Sequence, residues 1–275
     1  MDFTTLNKEQ LAAVRHTEGP LLLLAGAGSG KTRVITCRIA WLLRERGIPA
    51  EQILAVTFTN KAAREMQERV EELVGRKSAR GMGISTFHSL CVRILKEDIE
   101  RLGYKKNFSI YGAADQGRLV RDLIQTHDTH GRKYDADRVL WLISDAKNRL
   151  IPPEQFTVRH QDEYEYLAAE IYPRYQKSLK AFNAVDFDDI IMLTVRLFRE
   201  HKDVLAKYQE RFRYLMVDEY QDTNAAQYLL LRFLAEKHRN LCVVGDDDQS
   251  IYGWRGADLG NILGFERDFP GTKVI

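Results

Sequence analysis

A chain of 275 residues with 44% hydrophobic and 29% charged side chains reads as an ordinary soluble globular protein, with room for one large domain or two smaller ones. The formal net charge of +2 is close to neutral, so a nucleic-acid partner cannot be argued from charge alone. Three scattered cysteines, Cys37, Cys91 and Cys242, argue for reduced thiols in a cytosolic protein and against a disulfide framework or a zinc site.

In chain order, the amino terminus MDFTTLNKEQ shows neither a basic nor an apolar region of the signal-peptide kind, and the early apolar run Leu21 to Ala25 is far too short to span a bilayer. A cytoplasmic location with no membrane contact is the expectation. Pro20 to Ala25 predicts a strand, followed by a helix from Lys31 to about Arg46. Ile53 to Phe58 predicts a second strand, with a helix from Asn60 to about Val74. Met82 to Thr86 leads into a helix from about His88 to Leu102. Later strands are expected at Tyr214 to Val217, Leu241 to Val244 and Lys273 to Ile275. Continuous apolar strands alternating with helices predict an α/β fold with a parallel sheet covered on both faces. From about Ser89 to Glu210 that rhythm stops. Apart from a short strand at Phe108 to Tyr111, apolar residues there fall at helical spacing, as in Leu119 and Leu123, or Ile190, Thr194 and Leu197. The expected organisation is a discontinuous αβ domain of residues 1–88 and 211–275, with a mainly helical subdomain inserted at 89–210.

Two segments carry chemistry on their own residues. Ala25-Gly-Ala-Gly-Ser-Gly-Lys-Thr32 lies between an apolar strand and a helix, the context of a phosphate-binding loop. Gly26, Gly28 and Gly30 let the backbone curl so that N–H groups converge on phosphate oxygens at a helix N-terminus. Ala25, Ala27 and Ser29 complete that loop, Lys31 reaches the β- and γ-phosphates, and Thr32 offers a hydroxyl to Mg²⁺. The general pattern begins with glycine, and here that position is Ala25. Tyr214 to Glu219 ends a buried strand in two carboxylates: Asp218 to hold Mg²⁺ and Glu219 to act as general base on the attacking water. A second acidic cluster, Asp186-Phe-Asp-Asp189, has a plainer reading, with Asp186 capping a helix whose first turn is complemented by Asp188 and Asp189.

Three further segments, Ala55 to Ala63, Ser85-Thr-Phe-His-Ser89 and Gly245 to Asp258, join AGAGSGKT and Val217-Asp-Glu-Tyr-Gln-Asp-Thr-Asn224 in an order that resembles superfamily 1 helicases. The resemblance is closest to the UvrD/PcrA/Rep group of 3′-to-5′ DNA translocases, and it extends from Leu6 to the last residue. It implies a RecA-like P-loop NTPase using ATP and Mg²⁺, acting on single-stranded DNA and on junctions between single- and double-stranded DNA. Gln10 resembles the glutamine that reads adenine, and Gln249 the one that senses the γ-phosphate. Phe58, Tyr252 and Trp254 match aromatics near single-stranded DNA, and Phe187 is a further stacking candidate. Stacking suits a translocase because every base has a π-face. Thr57, Thr59, Asn60, Thr86 and His88 are the implied phosphate contacts.

Family members need a second motor domain with arginines facing the γ-phosphate, so the chain is expected to be a fragment that binds Mg-ATP, hydrolyses it slowly and does not unwind duplex alone. Two other classes stay open on the residues themselves. A P-loop phosphotransferase or GTPase is disfavoured because Asn60-Lys-Ala-Ala63 lacks the aspartate of a guanine-reading element. A non-catalytic module binding DNA or protein through the helical segment would ignore nucleotide.

Overall fold

Runs of four or five apolar residues without polar alternation leave neither strand face suited to water, and such strands end up between two layers of helix. The computed structural model describes residues 3, 5–26, 28–127, 132–160, 162–246 and 260–275. It divides into two compact units, one of residues 1–90, 202–223 and 227–275, the other of residues 91–201 with 224–226.

The first unit begins with α1 (Lys8–Arg15), β1 (Leu21–Leu24), α2 (Lys31–Arg44), β2 (Ile53–Thr57), α3 (Asn60–Val74), α4 (Arg76–Ala79) and β3 (Gly83–Thr86). From α5 (Phe87–Asp98) the chain passes into the second unit, with β4 (Ser109–Tyr111), α6 (Ala113–Gln125), α7 (Ala136–Asn148), α8 (Glu163–Ala181), β5 (Ala184–Asp186) and α9 (Phe187–Glu200). It returns through α10 (Lys202–Arg211), β6 (Tyr214–Val217), α11 (Ala225–Ala235), β7 (Leu241–Gly245), α12 (Gly260–Leu263), α13 (Phe265–Asp268) and β8 (Lys273–Val274).

Six strands form one sheet in the order β3-β2-β6-β7-β1-β8, and all five neighbouring pairs are parallel. Leu21, Leu23, Ile53, Ala55, Met216, Cys242 and Val244 share a core with Val34, Ile35 and Ile39 of α2 and with Met66 and Val70 of α3. The alternate residues Leu22, Leu54, Val56, Val217 and Val243 are buried as well, so neither face meets solvent. Chain order sets the position of the site. The link from β1 to β2 passes over β7 and β6, so the carboxyl ends of β1, β7 and β6 lie side by side where strand order reverses, the usual place for ligands in open parallel sheets.

The second unit packs α6, α7 and α8 around Val120, Val139, Ile143, Ile171, Tyr172, Tyr175 and Leu179. The strand expected at 108–111 is present as β4, and it pairs in parallel with β5, which the sequence reading passed over. The segment expected at 89–210 differs from this unit at its far end. α10 groups with the first unit, where Gln209 Nε2 donates to the Phe233 carbonyl at 2.7 Å. Among the described residues, no helix is long and apolar enough to cross a membrane.

Asp186 is the N-cap of α9, and its side chain and that of Asp189 complete a reciprocal capping box. What the sequence reading did not foresee is Lys147, wholly buried in α7, whose Nζ lies 2.6 Å from Asp186 and 2.8 Å from Asp189. Tyr175 donates to Asp186 at 2.9 Å and Gln176 to Asp189 at 3.0 Å. Burial, then the Asp186 charge, pushes the Asp189 carboxyl up to about 6. Burial works against the Lys147 charge, but the two carboxylates outweigh it and hold its pKa above the ordinary value. Removing one partner of a buried charge set strands the others. Lys147→Met is therefore expected to destabilise the second unit by about 3–5 kcal/mol, read by urea denaturation; a loss under about 1 kcal/mol would mean the carboxylates have other support.

Candidate phosphate-loop site

The loop leaves β1 at Ala25, whose N–H donates to the Gly245 carbonyl at the end of β7, 3.1 Å away. Gly28 and Gly30 adopt φ of +72° and +84°, the left-handed region in which a side chain is strained. Ala25, where the sequence departs from the general glycine, is not among the described residues of positive φ. Gly30 is the N-cap of α2 and supplies no side-chain acceptor, so the first N–H groups of that helix are left for a partner at its positive end. Ala27 lies outside the described residues.

Lys31 opens α2, and its side chain is 10% exposed. Its Nζ stands 3.7 Å from Glu219 and 3.8 Å from Asp246, close enough for ion pairing but too far for hydrogen bonds. Among the described residues it has no hydrogen-bond partner. A buried ammonium with all its donors unspent is costly to maintain, and an anion placed in the loop would satisfy it. Thr32 Oγ1 donates to Asp218 Oδ2 at 3.2 Å, so the hydroxyl and the carboxylate that could share a metal already face one another. Burial, then the neighbouring Glu219 charge, pushes the Asp218 carboxyl up; a bound cation would reverse that penalty.

Glu219 follows with φ +52° and ψ +45°, a left-handed conformation unusual for a non-glycine residue. Such backbone costs of order 1–3 kcal/mol and persists where its surroundings over-determine it. Here Glu219 N–H donates to Asp218 Oδ1 at 3.0 Å, and Gln221 Nε2 donates to Glu219 Oε2 at 2.8 Å. Gln221 Oε1 of the same side chain accepts from Asp246 N–H at 3.1 Å, tying the ends of β6 and β7 together. A Cβ on Gly245 would stand 2.6 Å from Ile262 Cδ1 and 2.9 Å from Gln221 Oε1, so any larger residue would have to push aside the Gln221 amide that links the two strand ends.

Gln10 reaches the loop from α1, donating through Nε2 to the Ser29 carbonyl at 2.9 Å while its Oε1 accepts from Asn7 N–H at 3.0 Å. The remaining candidates of this unit gather at the carboxyl ends of β2 and β3, where Thr57 and Thr86 are register partners. Phe58 is half-buried against Phe87, with ring centroids 5.4 Å apart. Thr59 spends its hydroxyl capping α3 and Thr86 spends its own on Ser89, while Thr57 is buried. Asn60 is exposed and His88 half-buried. Phe187 belongs to the second unit, where it opens α9 at 54% exposure. Gln249, Tyr252 and Trp254 lie outside the described residues.

A family model described as the UvrD/REP helicase N-terminal domain matches residues 6–270. The chain belongs to that family. Its parallel sheet with flanking helices is the RecA-like P-loop arrangement of the UvrD/REP helicase N-terminal domain. Among relatives it is similar to the ATP-dependent DNA helicase PcrA of Bacillus subtilis, 53% identical over 270 residues that make up 98% of this chain and 36% of that protein. PcrA proteins of Staphylococcus epidermidis and Staphylococcus aureus are 51% and 50% identical, and the match again covers 98% of this chain and 37% of each. The chain thus spans little more than a third of the length of these relatives.

Gln221, Asp222 and Asp246 were not singled out from the sequence. Asp246 lies in the motif from Gly245 to Asp258 but was given no role of its own, and it is the adjacency of β7 to β1 that brings it to Lys31. Burial, then Glu219, raises the Asp222 carboxyl from its ordinary 3.8 to about 6. Between those values the folded chain holds a proton that the unfolded chain has released, so ionised Asp222 opposes folding at higher pH. Asp222→Asn is expected to raise the melting temperature at neutral pH, by less than about 4 °C after solvent screening. That gain should shrink as pH falls through about 6; thermal melts across that range, showing a gain independent of pH, would remove the assignment.

Proposed function

We propose that this chain is the ATP-binding part of an ATP-dependent 3′-to-5′ DNA helicase and single-strand translocase. The observation that carries the reading is Lys31, buried at the mouth of a glycine loop with no hydrogen-bond partner among the described residues. The residues fit a nucleoside triphosphate. Backbone N–H groups of the loop from Ala25 to Thr32 would hold phosphate oxygens, with Lys31 as their charged donor. Gln10, beside Ser29, would read the base, since one amide can donate and accept together. Thr32 and Asp218 would hold Mg²⁺, which when bound neutralises charge on the transferring phosphoryl oxygens. Glu219 Oε2 accepts from Gln221, leaving Oε1 to take a proton from the attacking water. Gln249 is assigned to the γ-phosphate by its motif.

DNA is assigned to the ends of β2 and β3 in the first unit, with Phe58 as a stacking platform, Asn60 and His88 beside it for backbone phosphates, and Tyr252 and Trp254 as further stacking residues by their motif; Phe187, in the second unit, is a separate stacking candidate. Thr57, Thr59 and Thr86 contribute chiefly by shaping those ends. Junction preference, a cytoplasmic setting and a second motor domain completing the cleft belong to the same reading.

Lys31→Ala is expected to weaken Mg-ATP binding about 100-fold by calorimetry, whereas Glu219→Gln should bind normally and lower basal hydrolysis by about 10²–10⁴. Unchanged ATP affinity in the first variant would sink the nucleotide assignment. Phe58→Ala is expected to weaken single-stranded DNA binding by about 1–3 kcal/mol regardless of base sequence. Fluorescence anisotropy with an unchanged dissociation constant would return Phe58 to the core. Vigorous DNA-stimulated unwinding by the 275 residues alone would contradict their role as part of a motor.

A further inference from the structure

Arg38 is a charged side chain in an unexpected place. It sits in α2 two helical turns after Lys31, on the face turned to the core, and it is 2% exposed. Among the described residues it forms no ion pair within 4.0 Å; burial is the largest influence on its charge, opposed at longer range by Cys242, Glu18 and Tyr214. Its hydrogen bonds go to main-chain carbonyls instead. Nη1 donates to Ala13 O at 2.8 Å and to His16 O, and Nη2 to Thr17 O at 3.5 Å.

Those carbonyls are the end of α1. His16 is the C-cap of that helix, and Ala13 lies in its last turn. The last carbonyls of a helix have no partner inside it and carry the negative end of its dipole, so a guanidinium there supplies both donors and charge. The opposite half of α1 carries Gln10, whose amide meets Ser29 of the loop at 2.9 Å. Arg33, from the first turn of α2, donates to Thr5 just ahead of α1. The eight-residue α1 is too short to hold its place by its own helical propensity and depends on what docks it. Leu6, Ala13 and Val14 bury its apolar side, but apolar contact alone permits sliding and rotation along the groove. Directional bonds from α2 to the end of α1 remove that freedom. The same helix that presents Lys31 to the loop thereby fixes where Gln10 stands beside it.

We propose that Arg38 is a positioning residue for base selection: by clamping the carboxyl end of α1 to α2, it holds the Gln10 amide in register with the phosphate loop. This rests on the assignment of Gln10 and Lys31 to a nucleoside triphosphate. Arg38 itself touches no ligand; it acts through Gln10.

The test separates base from phosphate. Dissociation constants for Mg-ATP, Mg-GTP and Mg-tripolyphosphate are measured on the wild-type chain, Arg38→Met, Gln10→Ala and the double variant, with folding checked by circular dichroism. Arg38→Met is expected to weaken ATP about ten-fold, to erode the preference over GTP, and to shift tripolyphosphate by less than about two-fold. In the Gln10→Ala background the Arg38 change should add nothing further, because both act on one contact. Equal losses for ATP and tripolyphosphate, no loss for either, or full additivity with Gln10→Ala would each overturn the proposal. Should Arg38→Met not fold, Arg38→Lys is read in its place, and unfolding of both would make Arg38 a determinant of the fold, which also overturns it. Failure of the nucleotide assignment looks different: Lys31→Ala would then leave ATP and tripolyphosphate binding unchanged.

Discussion

An ammonium group held out of water with no hydrogen-bond partner among the described residues is the constraint around which the first unit is arranged. Lys31 sits at that cost because α2 must begin where β1 ends, and because Glu219 and Asp246 offer charge at 3.7 and 3.8 Å without accepting a hydrogen bond. The carboxylates offset part of the desolvation, yet their distance leaves the directional bonds to something else. Removing a single element of this frame would undo it. Without β7 between β1 and β6 there would be no Asp246 beside the lysine, and without the left-handed turn at Glu219 its carboxylate would follow the strand instead of turning toward α2.

Several parts of this arrangement were legible in the sequence for identifiable reasons. Apolar runs of four or five residues report a strand buried on both faces, and Leu21 to Leu24, Ile53 to Thr57 and Leu241 to Gly245 did so. The glycine loop followed by Lys-Thr carries its own chemistry, because positive φ and a helix N-terminus are both written in residue type. What escaped depends on strand order and packing. Asp246 is the first of three consecutive aspartates in its motif, and nothing in residue type says which of them meets Lys31 until β7 is placed next to β1. Lys147 looks like an ordinary surface lysine near the end of α7, and only the fold of the second unit delivers it to Asp186 and Asp189. α10, with its polar outward face, carries no signal in its own residues of which unit it joins; the Gln209 bond to Phe233 settles that over a separation of 24 residues.

Strand β2 and its neighbour β6 give the strongest physical link between the two groups of candidate residues. Val56 pairs with Val217, and Asp218 N–H donates to the Val56 carbonyl at 3.2 Å. Next in the chain come Thr57, the last residue of β2, and Phe58 just beyond it. In the proposed reading, the carboxylate assigned to magnesium and the ring assigned to a base therefore stand at the ends of hydrogen-bonded strands, one buried residue apart. A parallel sheet buried on both faces resists shear, since moving one strand breaks a ladder and displaces packed side chains on two sides.

Such stiffness limits where motion can occur. If the ends of β2 and β6 move together, a change at the phosphate loop cannot reach Phe58 by sliding one strand past the other; it has to pass through the residues that follow the strands. Glu219, Gln221 and Asp246 are the described residues there, and Gln221 bonds to both of the others, donating to Glu219 and accepting from Asp246 N–H. A side chain holding both strand ends through a single amide is a two-sided contact, so a displacement of either end must break or remake a bond at the other. The crossing is tight, because a methyl group on Gly245 would have to displace the ends of the Ile262 and Gln221 side chains. Gln221 is thus the bonded link between the ends of β6 and β7, at the foot of a ladder that holds β2 in fixed register with β6.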